Sequence, residues 1–414
     1  MNFFAYRGRR LFAEGVPLDR IARETGTPVY VYSAATLTRH FRVLSGAFSG
    51  VRHQICYSVK ACSNLAVLSL FARLGSGFDI VSGGELGRVL KATRGDASRV
   101  VFSGVGKTSD ELGAALAAGI LMFNVESGEE LAALDRVGRA AGVRAPFALR
   151  VNPHVDARTH AKIATGLSTS KFGVPIEEAA RLYRKSRALR GVRAVGVDCH
   201  IGSQLTVAAP VRAAVGKVAA LFRQLRGEGL ALEYLDAGGG LGITYREEKP
   251  PSPEEYAAAV FEPVRALGAT LVLEPGRVLV GNAGLLLTRV LYRKGQASSR
   301  FVVVDAGMND LIRPALYGAH HELLPVERRA GRKAPRTVVG PVCESSDVLA
   351  RARPLVPPRP GDLLAVMSAG AYGMSMASNY NSRPRPAEVL VSGRTFRVVR
   401  DRERQSDLWR GERS

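Results

Sequence analysis

Short apolar runs rich in β-branched residues recur along the first two thirds of the chain, each followed by a polar or glycine-containing turn. Between them lie alanine- and leucine-rich stretches with helical spacing, such as 109–118, 128–141 and 211–226. Runs of this length and composition are typical of buried strands, and the intervening stretches are typical of helices. The eight predicted strands are 55–59, 78–81, 100–102, 121–125, 147–151, 194–198, 233–236 and 271–273.

Eight alternations of strand and helix, mostly ~20–25 residues apart, predict an α/β fold that closes as a TIM-like (β/α)8 barrel. A doubly wound parallel sheet is the alternative, because periodicity does not show closure. In a barrel, functional side chains gather where the strands end. The predicted strands end in or near polar or glycine residues, which are Lys60, Asp79, Ser103, Glu126, Arg150, His200, 238–240 and Glu274. This clustering predicts a site at one end of the barrel.

The pattern changes after Gly281, where strand-like runs follow one another without long helices between them. These runs are 285–290, 301–304, 337–339, 363–367, 388–391 and 395–399. They predict a mostly β C-terminal domain, and we expect the weakly patterned first ~30 residues to pack against it. The predicted domains are therefore a barrel over 32–281 and a β-rich domain formed by 1–31 and 282–414.

Composition narrows the class of protein. A chain of 414 residues with 46% hydrophobic residues indicates two globular domains and excludes disordered and fibrous classes. The four cysteines show no CxxC spacing, which argues against a disulfide framework or a zinc site and favours reduced thiols in the cytoplasm. No signal peptide and no run of about 18 apolar residues is present, so no membrane partner is predicted.

An amine, an acid and a glycine run lie at predicted strand ends, and a single cofactor could use all three. Lys60 follows the first strand, where desolvation favours a neutral, imine-forming amine. Glu274 begins the sequence Glu-Pro-Gly-Arg, and the run 238–242 lets backbone N–H groups approach a phosphate. Pyridoxal phosphate needs a partner for its aldehyde, a partner for its ring nitrogen and a phosphate cradle. Each feature alone also fits a structural role, but together they predict this cofactor and no metal, with Asp79 as a further contact.

Other candidates lie elsewhere in the chain, and each alone also fits a structural role. His200 is placed to stack on a cofactor ring. Cys343, beside Glu344, lacks the histidine partner of a thiol nucleophile and suits a proton donor better. Arg313 and Tyr317 add a guanidinium and a phenol. Three further candidates for holding a phosphate or substrate are Ser203, Arg277 and Tyr372.

Taken together, these motifs resemble the diaminopimelate decarboxylase family, in the group of pyridoxal-phosphate enzymes that includes alanine racemase and eukaryotic ornithine decarboxylase. The matched motifs run in order over nearly the whole chain. They are 57–61, 82–86, 123–127, 149–153, 170–173, 200–204, 238–242, 274–277, 308–317, 343–347 and 378–383. Two departures, Cys62 in place of the usual asparagine and Asp198 before Cys199, touch no chemical role.

The resemblance implies a role for each candidate. Lys60 bonds covalently to the cofactor, His200 stacks on its ring and Glu274 faces the ring nitrogen. The phosphate is held by Ser203, Gly239, Gly240, Gly276, Arg277 and Tyr372. The resemblance also implies a homodimer with shared active sites, in which Cys343 and Glu344 complete the site of the partner subunit.

The charges near the site bear on the substrate. Arg277, Arg313 and Tyr317 suit a distal carboxylate, Glu344 suits a distal ammonium, and Tyr372 is a further contact. A substrate without that carboxylate leaves buried arginines unpaired, which costs several kcal/mol. The set fits meso-2,6-diaminopimelate, and the resemblance implies loss of CO2 from its D-centre, release of L-lysine and a place as the last step of lysine biosynthesis.

Four alternatives remain open from the sequence. The first is a related decarboxylase acting on another basic or D-amino acid. Alanine racemase chemistry is disfavoured, because racemisation favours an arginine at the ring nitrogen where this chain has Glu274. A non-catalytic pyridoxal-phosphate carrier is the third. A nucleic-acid-binding protein is suggested only by the net charge of +21, but the arginines are spread along the chain without a basic arm, so no nucleic-acid partner is predicted. That charge also helps steer an anionic cofactor and substrate.

Overall fold

The computed structural model describes residues 2–156, 171–295 and 300–413. The chain divides into two compact units. The barrel unit comprises residues 41–243 and 249–278, and the β-rich unit comprises residues 1–40, 244–248 and 279–414.

The N-terminal region contains more regular structure than its sequence indicated. Its elements are β1 (Phe4–Arg7), β2 (Arg10–Ala13), β3 (Val16–Pro17), α1 (Leu18–Thr25), β4 (Val29–Ser33) and α2 (Ala34–Ala47). Strands β1, β2 and β3 form a small antiparallel sheet. The apolar face of α1, with Leu18 and Ile21, is fully buried in the core of the β-rich unit.

Strands and helices alternate through the barrel unit, as the hydrophobic pattern predicted. The elements are β5 (His53–Ser58), α3 (Leu65–Arg73), β6 (Gly77–Ile80), α4 (Gly83–Thr93), β7 (Val100–Phe102), α5 (Ser109–Ala117), β8 (Met122–Val125), α6 (Gly128–Ala140), β9 (Ala145–Asn152), β10 (Val174–Pro175), α7 (Ile176–Ser186), β11 (Val192–Asp198), α8 (Ala209–Gly227), β12 (Tyr234–Asp236), α9 (Pro253–Val264) and β13 (Thr270–Leu273).

Eight of these strands form a closed parallel ring in the order β5-β6-β7-β8-β9-β11-β12-β13. Closure is made by β13 pairing with β5, and β8 pairs with β9 within the ring. The predicted TIM-like barrel is therefore confirmed, and the doubly wound sheet is excluded. The short β10 pairs with the end of β9 outside the ring.

Alternation along the barrel strands separates an apolar layer from a polar layer. Cys56, Val101, Met122, Ala148 and Val272 are buried together in one cluster. Because side chains two residues apart on a strand point to the same face, the next inward positions are polar. These positions are Ser58, Ser103, Asn124, Arg150 and Glu274. The interior is therefore packed at one level and carries hydrogen-bonding groups at the carboxyl ends of the strands.

Side-chain caps fix where several barrel helices begin. Ser127 Oγ accepts a hydrogen bond of 3.1 Å from the backbone N–H of Glu130 at the start of α6. Thr108 and Ser252 form reciprocal capping boxes with Glu111 and Glu255 at the starts of α5 and α9. Each such cap contributes about 1 kcal/mol.

Beyond β13 the chain is mostly β, as predicted. The elements are α10 (Arg277–Val280), β14 (Gly284–Lys294), β15 (Phe301–Val304), α11 (Arg313–Tyr317), β16 (Leu323–Pro325), β17 (Ala334–Val339), β18 (Val348–Leu355), β19 (Leu363–Val366), β20 (Ala387–Ser392) and β21 (Thr395–Arg400). The six predicted strands are confirmed, whereas β16 and β18 were not predicted.

The N-terminal strand β4 lies inside the main sheet of the β-rich unit. That sheet runs β18-β17-β15-β14-β4-β20-β21, with β19 paired to β14 and to β16. All five residues of β4 are buried, with Val29 and Val31 in the hydrophobic core, and β14 and β20 pair with its two edges. Cysteines 56, 62, 199 and 343 form no disulfide with one another, and Cys343 is the exposed one of the four. Over the ranges that the structure describes, no helix is long and apolar enough to cross a membrane.

Candidate active site

Lys60 lies just past the end of β5, in a single 3-10 turn formed by Val59–Ala61. Its Nζ donates to Asp79 Oδ2 at 2.6 Å, and Asp79 is completely buried at the end of β6. Ser58 Oγ lies 2.8 Å from the same carboxylate oxygen and 3.0 Å from the carbonyl oxygen of Glu274. The ends of β5, β6 and β13 therefore join the predicted amine to a carboxylate.

A second lysine near the barrel end, Lys107, is held differently. Its side chain is fully buried, and Nζ donates to Gly104 O, Asn124 O and Glu130 Oε1, each at 2.7 Å. Three acceptors use the three N–H donors of an ammonium, so this lysine is held in place as a structural group. The Lys60 side chain is 37% exposed, and it is the better candidate for an amine that reacts.

Glu274 is buried among polar groups from neighbouring strands. Its Oε1 accepts from Ser103 Oγ at 3.1 Å and from Asn124 Nδ2 at 3.2 Å. The same Asn124 nitrogen lies 3.2 Å from Asp236 Oδ2. Asn124 and Asp236 were not among the predicted site residues. The sequence did carry a signal for both: each is a polar residue that follows apolar residues in a predicted strand. Such a residue points into the barrel when the residues two positions away along its strand do.

Three buried carboxyl groups meet at this end of the barrel. Oxygens of Asp198, Asp236 and Glu274 lie within 4.8 Å of one another. Burial is the main cause that raises the pKa of each group well above its usual value, and the neighbouring carboxylates add to the shift. Each of the three groups therefore binds a proton more readily than an exposed carboxylate does. A set of carboxylates is also a ligand set for hard cations, and the expectation of no metal stays a prediction.

The His200 side chain is half-buried, and its ring is neutral. The backbone N–H of Gly239 donates to His200 Nδ1 at 3.1 Å, so that nitrogen accepts and carries no proton. Burial lowers the pKa of His200 well below 6.5, and the positive charges of Arg150 and Lys60 lower it further. Arg150 is held by Glu126 at 2.8 Å. A flat, uncharged imidazole is suited to stacking against another ring.

The glycine run packs too closely for side chains. A Cβ on Gly239 would lie 2.0 Å from the carbonyl oxygen of Glu274, and one on Gly240 would lie 2.2 Å from that of Gly202. Gly240 also has φ of +110°, which glycine adopts readily. Nearby, Arg277 Nη2 donates to Ser203 Oγ at 3.1 Å, and Gly276 immediately precedes α10. Glycine is therefore required at both positions, and the Arg277 guanidinium and the Ser203 hydroxyl lie near this run.

The remaining candidates lie in three places in the β-rich unit. Arg313 and Tyr317 begin and end the short helix α11. Cys343 and Glu344 lie in the loop between β17 and β18, where the N–H of Cys343 donates to Asn381 Oδ1 at 2.8 Å. Tyr372 lies in a loop after β19, with φ of +56°. Ser170, in one motif that carries the resemblance, lies outside the described residues.

Known proteins are similar to this chain over its whole length. Residues 34–281 match the family model described as the pyridoxal-binding domain of pyridoxal-dependent decarboxylases. Diaminopimelate decarboxylase of Pseudomonas aeruginosa is 52% identical over 412 residues, covering 100% of this chain and 99% of the relative. The chain belongs to the diaminopimelate decarboxylase family.

Solved structures of the diaminopimelate decarboxylase family agree with this assignment. The Helicobacter pylori enzyme, crystallised with L-lysine, has a TM-score of 0.92 at 42% identity and covers 95% of this chain and 98% of its own. The enzyme from M. jannaschi has a TM-score of 0.94 at 37% identity, covering 100% of this chain and 98% of its own. The barrel and the mostly β domain are therefore the architecture of this family.

The residues at the barrel end fit the cofactor that the family model names. The Lys60 amine, the buried Glu274 and the glycine run 238–242 occur together, and these are the kinds of group that pyridoxal phosphate requires. Two buried oxygens, Asp79 Oδ1 and Asp198 Oδ1, receive no hydrogen bond from any described residue. These two oxygens at the barrel end of this decarboxylase are therefore available to accept hydrogen bonds from a ligand.

Glu85, on α4 near Asp79, makes the stability of this decarboxylase depend on pH. Burial raises the pKa of Glu85 from 4.5 to about 7. The hydrogen bond from the N–H of Val81 lowers this pKa in part, and the charge of Asp79 raises it further. The folded protein therefore binds more protons than the unfolded chain between these values, so the free energy of unfolding falls as pH rises through that window. Glu85→Gln removes this titration. We expect chemical denaturation at about pH 5 and about pH 8 to show a smaller loss of stability with rising pH than in wild type.

The exposed Glu129 on α6 provides the matched control. Glu129→Gln should leave the pH dependence of the free energy of unfolding as in wild type. An unchanged pH dependence in Glu85→Gln would show that Glu85 does not titrate in this window.

Proposed function

We propose that this chain catalyses the pyridoxal-phosphate-dependent decarboxylation of meso-2,6-diaminopimelate to L-lysine and CO2, the last step of lysine biosynthesis. The observation that carries the proposal is the meeting of Lys60, Asp79, His200 and Glu274 at one barrel end, in a chain about half identical to diaminopimelate decarboxylases over its full length. Residues 32–281 are proposed as the cofactor-binding domain, and the family match over 34–281 supports this boundary.

The barrel residues are proposed to hold the cofactor. Lys60 Nζ would bond to the aldehyde carbon, with Asp79 keeping the amine in place through their 2.6 Å ion pair. Ser203, Gly239, Gly240, Gly276, Arg277 and Tyr372 would hold the phosphate. His200 would lie flat against the ring, since its lowered pKa keeps the imidazole uncharged beside a cationic ring nitrogen.

Pyridoxal phosphate, when bound, supplies a conjugated ring that accepts the electron pair of the breaking C–CO2 bond. Glu274 is proposed to keep a proton at the ring nitrogen. Burial and neighbouring carboxylates raise the pKa of Glu274 in this structure. A cationic ring nitrogen beside it would favour the ionised carboxylate, whose negative charge stabilises the proton on the ring. Asn124 and Ser103 fix the position of the Glu274 oxygen that faces them.

Substrate selection and reprotonation are assigned to the remaining candidates. Arg277, Arg313 and Tyr317 would bind the distal carboxylate, with Tyr372 beside them, and Glu344 would bind the distal ammonium. Cys343 would donate a proton to the α-carbon after CO2 leaves. Its thiol is exposed, unlike the other three, and Asn381 holds its backbone.

We further propose a cytoplasmic homodimer in which Cys343 and Glu344 serve the site of the partner subunit. Exposure of the Cys343 loop supports this arrangement, because an isolated chain leaves a proposed proton donor in solvent. The absence of cysteine pairing among the four thiols supports a reducing compartment. Sedimentation analysis that finds only monomers in an active preparation would contradict the dimer.

Release of CO2 tests the proposed reaction directly. The purified chain, loaded with pyridoxal phosphate, is supplied with meso-diaminopimelate, L-lysine, D-lysine or ornithine in separate assays. We expect CO2 and L-lysine from meso-diaminopimelate, and much lower values of kcat/KM for the other three. Preferential release from D-lysine or ornithine would instead assign the chain to the related decarboxylases of other basic or D-amino acids.

Removing the Glu344 carboxylate should weaken substrate binding. Glu344→Ala removes a charge-assisted contact to the distal ammonium, and we expect KM for meso-diaminopimelate to rise on the order of tenfold. Steady-state kinetics give this value. Glu412→Ala, at an exposed glutamate near the C-terminus, should leave KM unchanged. Equal KM values in Glu344→Ala and wild type would remove Glu344 from the substrate site.

A further inference from the structure

Arg313, the guanidinium proposed for the distal carboxylate, is held by two side chains that the resemblance does not include. It is 5% exposed and begins α11, a helix of five residues. Gly318, with φ of +62°, ends that helix in the left-handed conformation. So short a helix fixes its first side chain poorly by itself, and other groups must define where the guanidinium lies.

One of these groups is His321, which is completely buried. Arg313 Nη1 lies 2.9 Å from His321 Nε2, and His321 Nδ1 lies 2.9 Å from the carbonyl oxygen of Met367. An arginine nitrogen can only donate and a carbonyl oxygen can only accept. The ring therefore carries its proton on Nδ1, and its Nε2 accepts from Arg313.

His321 is itself fixed by the sheet. It lies two residues before β16, which pairs with β19, and the N–H of Met367 donates to Glu322 O at 2.8 Å. The backbone next to His321 and the His321 ring are thus both hydrogen-bonded to Met367, which follows β19. The position of His321 does not depend on the short helix that carries Arg313.

Tyr245 supplies the second contact. The Arg313 guanidinium lies over the Tyr245 ring, 4.6 Å from its centre, and the same ring packs edge-on against His321 at 5.5 Å. A guanidinium has its donors in one plane. With His321 at the edge of that plane and Tyr245 against its face, both the tilt and the rotation of the plane are set.

We propose that His321, with Tyr245, is a positioning residue for substrate specificity, orienting Arg313 so that its forked donors meet a carboxylate in their own plane. This inference rests on the proposed function, in which Arg313 binds the distal carboxylate of meso-diaminopimelate. Bidentate binding requires coplanar groups, so a guanidinium that can tilt loses part of its preference for substrates with that carboxylate. His321 touches neither the substrate nor the cofactor in this assignment and acts only through Arg313.

The test compares two substrates and three substitutions. The specificity ratio is kcat/KM for meso-diaminopimelate divided by kcat/KM for D-lysine, which lacks the distal carboxylate. We expect His321→Leu to lower this ratio on the order of tenfold, through KM for meso-diaminopimelate and with little change in D-lysine turnover. His321→Gln, whose side-chain oxygen can accept from Arg313, should restore most of the ratio. His320→Gln is the control, since His320 contacts Glu322 and not Arg313.

Binding gives a readout without turnover. L-lysine keeps the carboxylate that Arg313 is proposed to bind, so calorimetric titration should show weaker L-lysine binding to His321→Leu by a similar factor. If His321→Leu does not fold, Tyr245→Leu decides the matter, because Tyr245 is only partly buried, and it too should lower the ratio.

A folded His321→Leu, or Tyr245→Leu in its place, with wild-type specificity and L-lysine affinity would overturn the inference. Failure of wild type to release CO2 from meso-diaminopimelate is a different result, which would overturn the proposed function instead.

Discussion

Lys60→Ala is expected to abolish the visible absorbance of the cofactor-loaded protein and to lower decarboxylation on the order of 10³-fold or more. The reason is chemical: alanine has no amine to bond to the aldehyde. Lys107 is not expected to substitute, because three acceptors at 2.7 Å already engage its buried Nζ. Spectra and CO2 release are measured on the same preparation.

Lys91→Ala is the matched control for this prediction, since Lys91 is exposed on α4. It should keep both the absorbance band and the activity of wild type. Persistence of the band in Lys60→Ala would remove Lys60 from its proposed role.

Glu274→Gln should lower kcat on the order of 10²-fold while the protein still binds its cofactor. Glutamine keeps the side-chain shape and an oxygen that can accept from Ser103 and Asn124. Its amide cannot take up the proton that the carboxylate shares with the ring nitrogen, so the ring accepts electrons less readily. Steady-state kinetics at saturating substrate give kcat, and the visible spectrum reports cofactor binding.

A second buried glutamate allows a matched control. Glu388 is 2% exposed in the β-rich unit and accepts from the hydroxyl of Tyr32 at 2.8 Å. Glu388→Gln should keep kcat close to wild type. If Glu274→Gln also keeps wild-type kcat, the carboxylate is not required at the ring.

Local patterns predicted the barrel well because each of its strands is a continuous apolar run next to its own helix. The strand over 100–102 was placed at the same residues that form β7. Strand β4 was missed because its five residues are flanked by no such repeat. It is a strand only because β14 and β20, more than 250 residues later in the chain, pair with both its edges.

The candidate site was predicted in part for a similar reason. Residues just past strand ends, such as Lys60 and His200, can be read from sequence once the strands are placed. Asp236 and Asp198 depend on register instead. A register shift in β11 between Ala194 and Gly196 determines on which face of the sheet the Asp198 side chain lies. No local sequence pattern predicts that shift. The contact of His321 with Arg313 likewise depends on the pairing of β16 with β19.

The position of the covalent cofactor bond is the central claim, and peptide mapping after borohydride reduction tests it most directly. The loaded, active enzyme is reduced, digested and analysed by mass spectrometry for a pyridoxyl-modified lysine. The structure predicts one modified peptide, with the adduct on Lys60. An adduct on Lys107 or any other lysine, or none in an enzyme that releases CO2 from meso-diaminopimelate, would contradict the account.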